Sequence, residues 1–279
     1  MRAAPMNTLD GKVVVITGTG SGMGREMAVL AAKRGALLAI SDWNADGLAE
    51  TVDLVKAAGA RELRSDLLDV SDRPAMGTYA AAVAEQFGVV NMVVNNAGVT
   101  VTGDFEDMEY ADFDWIVGIN FLGVVNGTKE FLPHLIASGD GAVVNISSLF
   151  GLISMPGQTA YNATKYAVRG FSESLREELL MAGHPVGVTV VHPGGVRTAI
   201  VRSGRASAGE DHAALARLFD ERLARMSPER AAEIILRGVL KGKPRVLVGL
   251  DAHVLHQFAR VVGARYQDVV ARRAARMRR

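Results

Sequence analysis

A tyrosine and a lysine spaced four residues apart form the side-chain pair with the clearest chemical use in this sequence. Tyr161 and Lys165 lie early in a segment of helical composition, Thr159–Met181, so one helix face carries both the phenol and the ammonium. A free tyrosine has a pKa of about 10, and a nearby ammonium lowers that pKa because it favours the phenolate. Such a pair can move a proton to or from a substrate oxygen. The same spacing is also typical of a surface tyrosine beside a solvated lysine.

Two further polar side chains are candidates for the same site. Ser148 follows an apolar run at residues 142–146 and precedes Tyr161 by thirteen residues, so its hydroxyl can reach the same substrate oxygen. This spacing favours Ser148 over its neighbour Ser147. Asn120 interrupts an otherwise apolar helical face, which makes its amide unusual in that position.

A glycine-rich stretch separates the first apolar run from the first helical segment. Residues 17–24 read Thr-Gly-Thr-Gly-Ser-Gly-Met-Gly and lead directly into a helical pattern at residues 22–33. Glycines let the backbone turn sharply and approach a pyrophosphate, whose charge the N–H groups and dipole of the helix N-terminus would meet. The position in a strand–turn–helix unit favours nucleotide binding over a purely structural turn. The residues predicted to contact the cofactor here are Gly18, Ser21, Gly22, Met23 and Gly24.

An acidic residue ends the second apolar run. Asp42 comes 18 residues after Gly24, close to the spacing of about 20 expected for a carboxylate that binds the adenosine ribose hydroxyls. A carboxylate there would repel a 2′-phosphate, so we predict NAD as the cofactor in preference to NADP. The alternative is that Asp42 only caps the helix beginning near Ala45. Trp43 could stack on the adenine or simply pack against the protein.

The elements that must position these groups alternate along the chain. Short β-branched runs, typical of buried parallel strands, are separated by longer segments rich in Ala, Leu and Glu. The pattern predicts an α/β fold: one doubly wound, Rossmann-like domain with a mostly seven-stranded parallel sheet and helices on both faces. The strands recognised are residues 13–16, 37–40, 89–94, 142–146, 186–191 and 245–248. The helical segments are residues 22–33, 45–58, 74–87, 112–136 and 159–181.

Two segments depart from this alternation. Residues 197–225 contain a stretch rich in Ser and Gly and then a helical pattern at 215–223, which predicts a mobile insertion over the site. The main domain is predicted to span residues 1–250, and residues 251–279 to form a C-terminal amphipathic helix with a basic tail within the same domain. Docking of that helix on the domain or on a neighbouring subunit is favoured over peripheral contact with a membrane.

The composition argues against several other classes of function. The 31 Lys and Arg balance 30 Asp and Glu, so no whole-molecule field favours nucleic acid or a membrane surface. The absence of cysteine excludes disulfides, thiolate catalysis and Cys-ligated metal centres. His253 and His256 share a helix face, but exposed or capping roles are favoured, and no metal site is predicted. With neither a signal-peptide pattern nor a membrane-spanning run, we expect a soluble, cytoplasmic protein.

Five motifs occur in the order found in the short-chain dehydrogenase/reductase family: Thr17-Gly-x-x-x-Gly-x-Gly24, Asn95-Asn-Ala-Gly98, Ser148, Tyr161-x-x-x-Lys165 and Pro193-Gly194. Over about residues 9–250 the sequence resembles the short, single-domain branch of that family. The resemblance implies that Tyr161 is the general acid/base, and that Lys165 lowers its pKa and binds the nicotinamide ribose. Ser148 would orient the reacting oxygen, and Asn120 would hold a water in a proton relay.

The resemblance also implies further cofactor contacts. Asp69 and Val70 would lie beside the adenine, although Asp69 could instead cap a turn with Ser71. Thr198 would bond the nicotinamide carboxamide, and Asn95 would brace the central strands or touch the cofactor. The remaining cofactor-binding positions implied by the family pattern are Asn96, Ala97, Gly98, Pro193, Gly194 and Val196.

The function implied is transfer of a hydride between a nicotinamide cofactor and a secondary alcohol or ketone. Apolar residues expected at the substrate mouth favour a hydrophobic substrate; they are Phe150, Leu152, Met155 and Pro156. The alternative is a catalytically silent redox regulator of the same fold that binds the nucleotide. Such a protein would be expected to lack at least one of the four site residues, and all four are present. A homodimer or homotetramer is also expected.

Overall fold

The described residues include nine strands, six of which follow the apolar runs recognised in the sequence. They are β1 Val13–Thr17, β2 Leu37–Asp42, β3 Leu63–Leu67, β4 Met92–Asn95, β5 Val101–Thr102, β6 Gly141–Ile146, β7 Val186–Pro193, β8 Arg205–Ala206 and β9 Arg245–Val248. Seven of these form one parallel sheet in the order β3-β2-β1-β4-β6-β7-β9, while β5 and β8 pair separately. These features come from a computed structural model that describes residues 6–219, 221 and 224–277.

Helices connect the strands and cover both faces of the sheet. They are α1 Gly22–Lys33, α2 Ala45–Ala57, α3 Arg73–Phe87, α4 Tyr110–Val117, α5 Gly123–Ala137, α6 Thr159–Met181, α7 His212–Leu218, α8 Pro228–Leu240, α9 Leu250–Val262 and α10 Tyr266–Met277. Helices α1, α2 and α8 pack on one face, and α3, α5 and α6 pack on the other. The prediction of a doubly wound, Rossmann-like domain is confirmed.

The core consists of two apolar layers, one on each side of the sheet. Successive strand residues point to opposite faces, and β1 illustrates the alternation: Val14 and Ile16 belong to one layer, Val13 and Val15 to the other. Phe131 of α5 and Ile235 of α8 are fully buried on the two sides. Each such side chain contributes about 1.5–3 kcal/mol through its removal from water. This two-sided burial explains why the central strands are apolar on both faces.

The strand order reverses between β1 and β4, which are neighbours in the sheet. The chain winds outward from β1 through β2 to β3, and then returns to β4 on the other side of β1. In open parallel sheets the crevice outside the carboxyl ends of strands at such a reversal is where ligands bind. The glycine-rich stretch follows β1 and the Asn95-Asn96 pair ends β4, so both lie at this crevice.

Three sequence predictions about the elements need correction. The edge strand β3 is absent from the apolar runs because only its first and last residues are apolar, while Arg64 and Asp66 between them form an ion pair at 2.7 Å. Strand β4 begins at Met92 rather than at residue 89, because Val89 is exposed before the sheet begins. The single C-terminal helix is in fact two helices, α9 and α10, because Gly263 adopts a φ of +63° between them. The tail residues Arg278 and Arg279 lie outside the described residues.

The predicted insertion at residues 197–225 is attached to the rest of the domain in its first half, at β8. Arg205 and Ser207 donate backbone N–H bonds, each 2.9 Å long, to the carbonyls of Thr100 and Thr102. The guanidinium of Arg205 lies 3.9 Å from the ring centroid of Trp115 in α4. Helix α7 lies in this insertion, and the predicted helical end at Leu223 lies outside the described residues. Across the described part of the chain, no helix is long and apolar enough to cross a bilayer.

Candidate active site

The first two turns of α6 bring Tyr161 and Lys165 together at the carboxyl end of β6. Lys165 is only 3% exposed, and its Nζ donates a 3.1 Å hydrogen bond to the carbonyl of Ile146, the last residue of β6. The same Nζ lies 5.6 Å from the centroid of the Tyr161 ring. Burial lowers the pKa of Lys165 to about 8, because the ammonium has lost most of its contact with water. The sequence expectation of a shared helix face agrees with this geometry.

Two adjacent serines at the end of β6 have different partners. The hydroxyl of Ser148 lies close enough to the phenol of Tyr161 to lower the pKa of that phenol, and it accepts the N–H of Phe150 at 3.1 Å. The hydroxyl of Ser147 donates instead to the backbone carbonyl of Lys165 at 2.8 Å. The structure therefore brings Ser148 to the phenol, whereas Ser147 fastens the strand end to α6.

The ionisation of Tyr161 differs from the sequence expectation. Burial raises the pKa of the phenol, and the hydrogen bond with Ser148 acts in the opposite direction but is the smaller effect. The ammonium of Lys165 directs its hydrogen bond to the carbonyl of Ile146. Desolvation of the phenolate therefore dominates, and the phenol is protonated at neutral pH.

Asn120 lies in a π-helical turn, Gly118–Leu122, that joins α4 to α5. Such turns are rare and widen the helix locally, often at functional sites. The Asn120 side chain is fully buried: its Oδ1 accepts the N–H of Val99 at 2.8 Å, and its Nδ2 donates to the carbonyl of Val99 at 2.9 Å. A Cβ built on Gly98 would lie 3.2 Å from Asn120 Oδ1 and 3.4 Å from Lys165 Nζ. Asn120 and Lys165 thus flank the same point of the backbone.

The end of β4 holds the glycine-rich loop in place. The N–H groups of Asn96 and Ala97 donate to Thr17 Oγ1 at 3.1 and 3.2 Å. Asn96 Nδ2 donates to the carbonyls of Thr17 and Gly18 at 3.0 and 2.9 Å. Gly18 has a φ of +69°, and a Cβ there would lie 2.6 Å from Ala97 Cα. Asn96 therefore has a structural role, and its contact with the cofactor stays a prediction.

The loop has the features that a dinucleotide pyrophosphate requires. Helix α1 begins at Gly22, and the side chain of the preceding Ser21 makes no capping hydrogen bond to it. A Cβ on Gly24 would collide with the carbonyl oxygen of Gly18, so α1 starts close against the loop. An uncapped helix N-terminus that follows a tight glycine turn presents N–H groups and a positive dipole end to an anion. The residues present therefore fit a dinucleotide cofactor.

Asp42 ends β2 and contacts the glycine-rich loop directly. Its Oδ2 accepts the N–H of Gly20 at 2.7 Å, and its Oδ1 accepts the N–H of Asn44 at 2.8 Å. Helix α2 is capped by the side chain of Asn44, which accepts the N–H of Gly47 at 2.8 Å. The simple capping alternative for Asp42 is therefore wrong. Trp43 is 75% exposed, so the packing alternative for its ring is wrong as well.

Asp69 and Val70 lie in the turn between β3 and α3. Asp69 is exposed, and its Oδ1 accepts hydrogen bonds from the N–H and the hydroxyl of Ser71 at 2.9 and 2.7 Å. Val70 is buried, and its carbonyl accepts a 3.0 Å bond from Asn126 Nδ2. The capping turn with Ser71 is present, and a contact of this pair with adenine stays a prediction.

The segment after β7 returns to the glycine-rich loop. Pro193 is the last residue of β7, Gly194 follows it, and Val196 is buried at 3% exposure. The methyl group of Thr198 would lie 3.1 Å from a Cβ built on Gly22, so this threonine lies against the start of α1. The structure therefore places Thr198 against the glycine-rich loop, and its bond to the nicotinamide carboxamide stays a prediction.

Asn95 braces the central strands. Its Nδ2 donates to Asn145 Oδ1 in β6 at 2.8 Å and to Thr128 Oγ1 in α5 at 3.0 Å, and Asn145 Nδ2 continues to Ser172 Oγ at 2.9 Å. All four side chains are buried. Of the two predicted roles of Asn95, the structure displays the bracing contacts.

The residues predicted at the substrate mouth surround the phenol only in part. The ring of Phe150 meets the ring of Tyr161 edge to face, with centroids 6.2 Å apart and an interplanar angle of 88°. Leu152 is buried, Met155 is half-buried and Pro156 is exposed. Within the described residues, no group of three or more His, Asp or Glu side chains could hold a metal ion.

His192 is a residue of the site that the sequence analysis did not single out. It is fully buried in β7, and its Nδ1 lies 2.8 Å from the carbonyl oxygen of Ser148, to which it donates. Its Nε2 is buried without a hydrogen-bond partner. Burial lowers the pKa of His192 to about 4, since a proton on Nε2 would have no acceptor. A histidine within an apolar strand looks like a core residue, so only the contact with Ser148 reveals it.

We expect His192 to make the fold sensitive to acid. The unfolded chain binds a proton at a pKa of about 6.5 and the folded chain at about 4, so stability falls as the pH drops from about 6.5 towards 4. The free energy of unfolding falls by about 3 kcal/mol over this range. In His192→Asn an amide nitrogen can replace Nδ1, and this part of the pH dependence should disappear. Urea unfolding between pH 7 and 4 measures the pH dependence of stability, and His253→Asn, at an exposed histidine, is the control. Equal slopes for wild type and His192→Asn would contradict the prediction.

Comparison with known proteins places this geometry in context. A family model described as short chain dehydrogenase matches residues 12–209. A putative oxidoreductase of Mycobacterium tuberculosis, SadH, is 54% identical over 266 residues, which are 95% of this chain and 96% of that protein. The 3-oxoacyl-(acyl-carrier-protein) reductase FabG of Thermotoga maritima is 34% identical over 230 residues, covering 82% and 90% of the two chains. A short chain dehydrogenase/reductase from Burkholderia phymatum, solved in complex with NAD, is 31% identical with a TM-score of 0.83 and covers 95% and 96%.

Proposed function

Because this chain belongs to the short-chain dehydrogenase family, we propose that it transfers a hydride between NAD and a secondary alcohol or ketone, with Tyr161 as the general acid/base. The observation that carries this proposal is the convergence of three side chains at the carboxyl end of β6. The Ser148 hydroxyl interacts with the Tyr161 phenol, and the buried Lys165 lies beside the same ring. Asn120, in the π-helical turn, belongs to the same region because its side chain and that of Lys165 both lie close to Gly98.

Tyr161 and Ser148 act directly on the substrate oxygen in the proposed reaction. When bound, the nicotinamide would supply or accept the hydride. Tyr161 donates its phenolic proton to the ketone oxygen during reduction, and as the phenolate it accepts the alcohol proton during oxidation. The Ser148 hydroxyl orients the substrate oxygen towards the phenol. Because burial raises the pKa of Tyr161, its acid form dominates near neutral pH, and oxidation should become faster as the pH rises.

The region around Asp42 supports NAD in preference to NADP. The Asp42 carboxylate lies against Gly20 of the glycine-rich loop, where a 2′-phosphate would meet a like charge. The nearby cation, Arg25, is already engaged: its guanidinium bonds the carboxylate of Glu50 at 2.8 Å, Thr51 Oγ1 at 2.9 Å and the carbonyl of Gly20. The similar structure from Burkholderia phymatum, which contains NAD, is in keeping with this choice.

Replacement of Asp42 by asparagine should narrow the preference for NADH over NADPH. The amide oxygen can still accept the N–H of Gly20, while the charge that binds ribose hydroxyls and repels a 2′-phosphate is removed. We expect NADH affinity to fall by about tenfold, which corresponds to the loss of one charge-assisted hydrogen bond of about 1.5 kcal/mol. NADPH affinity should stay equal or rise. Fluorescence titration measures both, and Asp46→Asn, an exposed acid of α2, is the matched control.

Two results would contradict the cofactor assignment. Tighter binding of NADPH than NADH to the wild-type protein would mean that Asp42 only braces the loop. Equal affinities of wild type and Asp42→Asn for NADH would exclude a contact between this carboxylate and the ribose.

The substrate class that the site favours is a hydrophobic secondary alcohol or ketone. Phe150 places apolar surface next to the phenol, and the 197–225 insertion lies nearby through its contacts with Thr100 and Thr102. Turnover of a panel of aryl, terpenoid, steroid and acyl alcohols with NAD, and of the matching ketones with NADH, tests the proposal. Tight NADH binding without turnover of any compound would favour the silent redox regulator instead.

The proposal extends to the setting in which the enzyme works. We propose a homodimer or homotetramer in the cytoplasm, acting on a small molecule and not on nucleic acid. Exposed apolar residues on the outer side of α9, Leu250, Val254 and Val261, offer a surface for a neighbouring subunit or, as the weaker alternative, for peripheral membrane contact. Light scattering of the full chain and of a chain ending at residue 251 would distinguish a subunit contact from a membrane contact.

A further inference from the structure

A small apolar cluster, separate from the two main layers, joins the C-terminal helices to the segment that follows Ser148. We call residues 149–154 the substrate loop. Leu149 and Ile153 of this loop are buried against Ala252 of α9 and Tyr266 of α10. Half-buried side chains complete the cluster: Phe150, Leu247, Leu255, Phe258, Ala259, Val262 and Val270. The C-terminal segment is therefore the support on which the substrate loop rests.

Tyr266 adds a polar bond at the centre of this cluster. Its phenolic oxygen accepts the backbone N–H of Ser154 at 2.9 Å, although the two residues are 112 positions apart in the chain. The Tyr266 phenol also interacts with the phenol of Tyr166, the residue after Lys165 in α6. Tyr266 is only 8% exposed. One side chain thus links the C-terminal segment, the substrate loop and the helix that carries Tyr161.

The substrate loop is consequently held at both ends. At its start, the carbonyl of Ser148 accepts the N–H of His192, and at its far end the N–H of Ser154 donates to Tyr266. Between these points lie Phe150, whose ring contacts Tyr161, and Leu152. A loop fixed at two points keeps its side chains in one arrangement, which lowers the entropy cost of ordering them around a ligand.

We propose that Tyr266 is a positioning residue that holds the substrate loop in its binding conformation and thereby makes the C-terminal segment a determinant of substrate recognition. The inference rests on the proposed function, because the loop is the apolar wall beside the catalytic phenol. Tyr266 has no contact with the glycine-rich loop among its described partners, so its role concerns the alcohol or ketone rather than the cofactor.

The test is the variant Tyr266→Phe in the full-length protein, which keeps the ring in the cluster and removes only the hydroxyl. The N–H of Ser154 loses its acceptor, so hydrogen–deuterium exchange of residues 149–154 should rise by about tenfold, as for one lost hydrogen bond. For the best alcohol substrate, KM should rise by about tenfold while kcat changes less than about threefold. The dissociation constant of NADH should stay within about twofold of wild type.

Tyr79→Phe is the matched control, because it removes the hydroxyl of another buried tyrosine in α3, far from the loop. Unchanged exchange at residues 149–154, or an equal loss of NADH affinity, would overturn the proposal. A fall in kcat with constant KM would also overturn it. The exchange measurement needs no turnover, so it distinguishes failure of this inference from failure of the proposed function, in which wild type itself would turn over no alcohol.

Discussion

Replacing Tyr161 by phenylalanine is expected to lower kcat by about 10²–10⁴-fold, the usual contribution of a general acid/base. In the proposed mechanism the phenol exchanges a proton with the substrate, and phenylalanine keeps the ring against Phe150 while removing that proton. NADH affinity should change little, because the proposed partner of the hydroxyl is the substrate oxygen. Steady-state rates and NADH titration on one preparation measure both quantities. Tyr110→Phe, a tyrosine 86% exposed at the start of α4, is the control.

The pH profile gives this prediction a second readout. In the wild type, the rate of alcohol oxidation should rise with pH, because burial raises the pKa of Tyr161 and the phenolate becomes abundant only in alkali. In Ser148→Ala the hydrogen bond that lowers this pKa is lost, so the rise should move to higher pH. The residual activity of Tyr161→Phe should lack the rise. If Tyr161→Phe kept the wild-type kcat or the wild-type pH profile, Tyr161 would not be the general acid/base.

Lys165→Met should abolish most turnover and yet leave the fold as stable as before, or more stable. Burial lowers the pKa of Lys165 to about 8 against about 10.5 in the unfolded chain, so at pH 7 the buried ammonium opposes folding by about 3 kcal/mol. Its bond to the carbonyl of Ile146 offsets part of that cost, about 1–3 kcal/mol. Methionine has a similar length and no charge to bury. Activity, by contrast, should fall by at least about a hundredfold because the cation beside the phenol is gone.

Urea unfolding at pH 7, together with kcat and NADH affinity, checks this opposition between activity and stability. Lys56→Met is a suitable control, since Lys56 is an exposed lysine of α2. Wild-type stability should also rise with pH between about 8 and 10.5, as the buried amine loses its proton in the folded state first. If Lys165→Met unfolded at a much lower urea concentration than wild type, this lysine would stabilise the fold.

The parts of the site that the sequence predicts are those whose partners lie close together in the chain. Tyr161 and Lys165 share a helix face through local geometry, and the glycine-rich stretch forms one continuous strand, turn and helix start. Ser148 required one further step, because its partner is thirteen residues away across a loop. Because a strand ends just before Ser148 and a helix begins just before Tyr161, the hydroxyl can still occupy only a few positions.

The parts that escaped prediction depend on long-range contacts. His192 and Tyr266 act across 44 and 112 residues of sequence, and neither a lone histidine in a strand nor a tyrosine in a helix signals such a partner. Strand β3 has no signal as an apolar run, because only Leu63 and Leu67 of its five residues are apolar and Leu67 is 65% exposed. The break between α9 and α10 has a local signal, because Gly263 lies within a helical pattern.

The pairing of β5 with β8 has a consequence for how the sequence of the 197–225 insertion can change. The pairing fixes residues 205 and 206, so the residues before them, 197–204, form a short loop of their own. This short loop is also joined to α7, because a ring nitrogen of His212 lies 2.7 Å from the carbonyl oxygen of Val201. A mutation on one side of β8 therefore acts on the other side through this bond, and paired substitutions should have non-additive effects on stability.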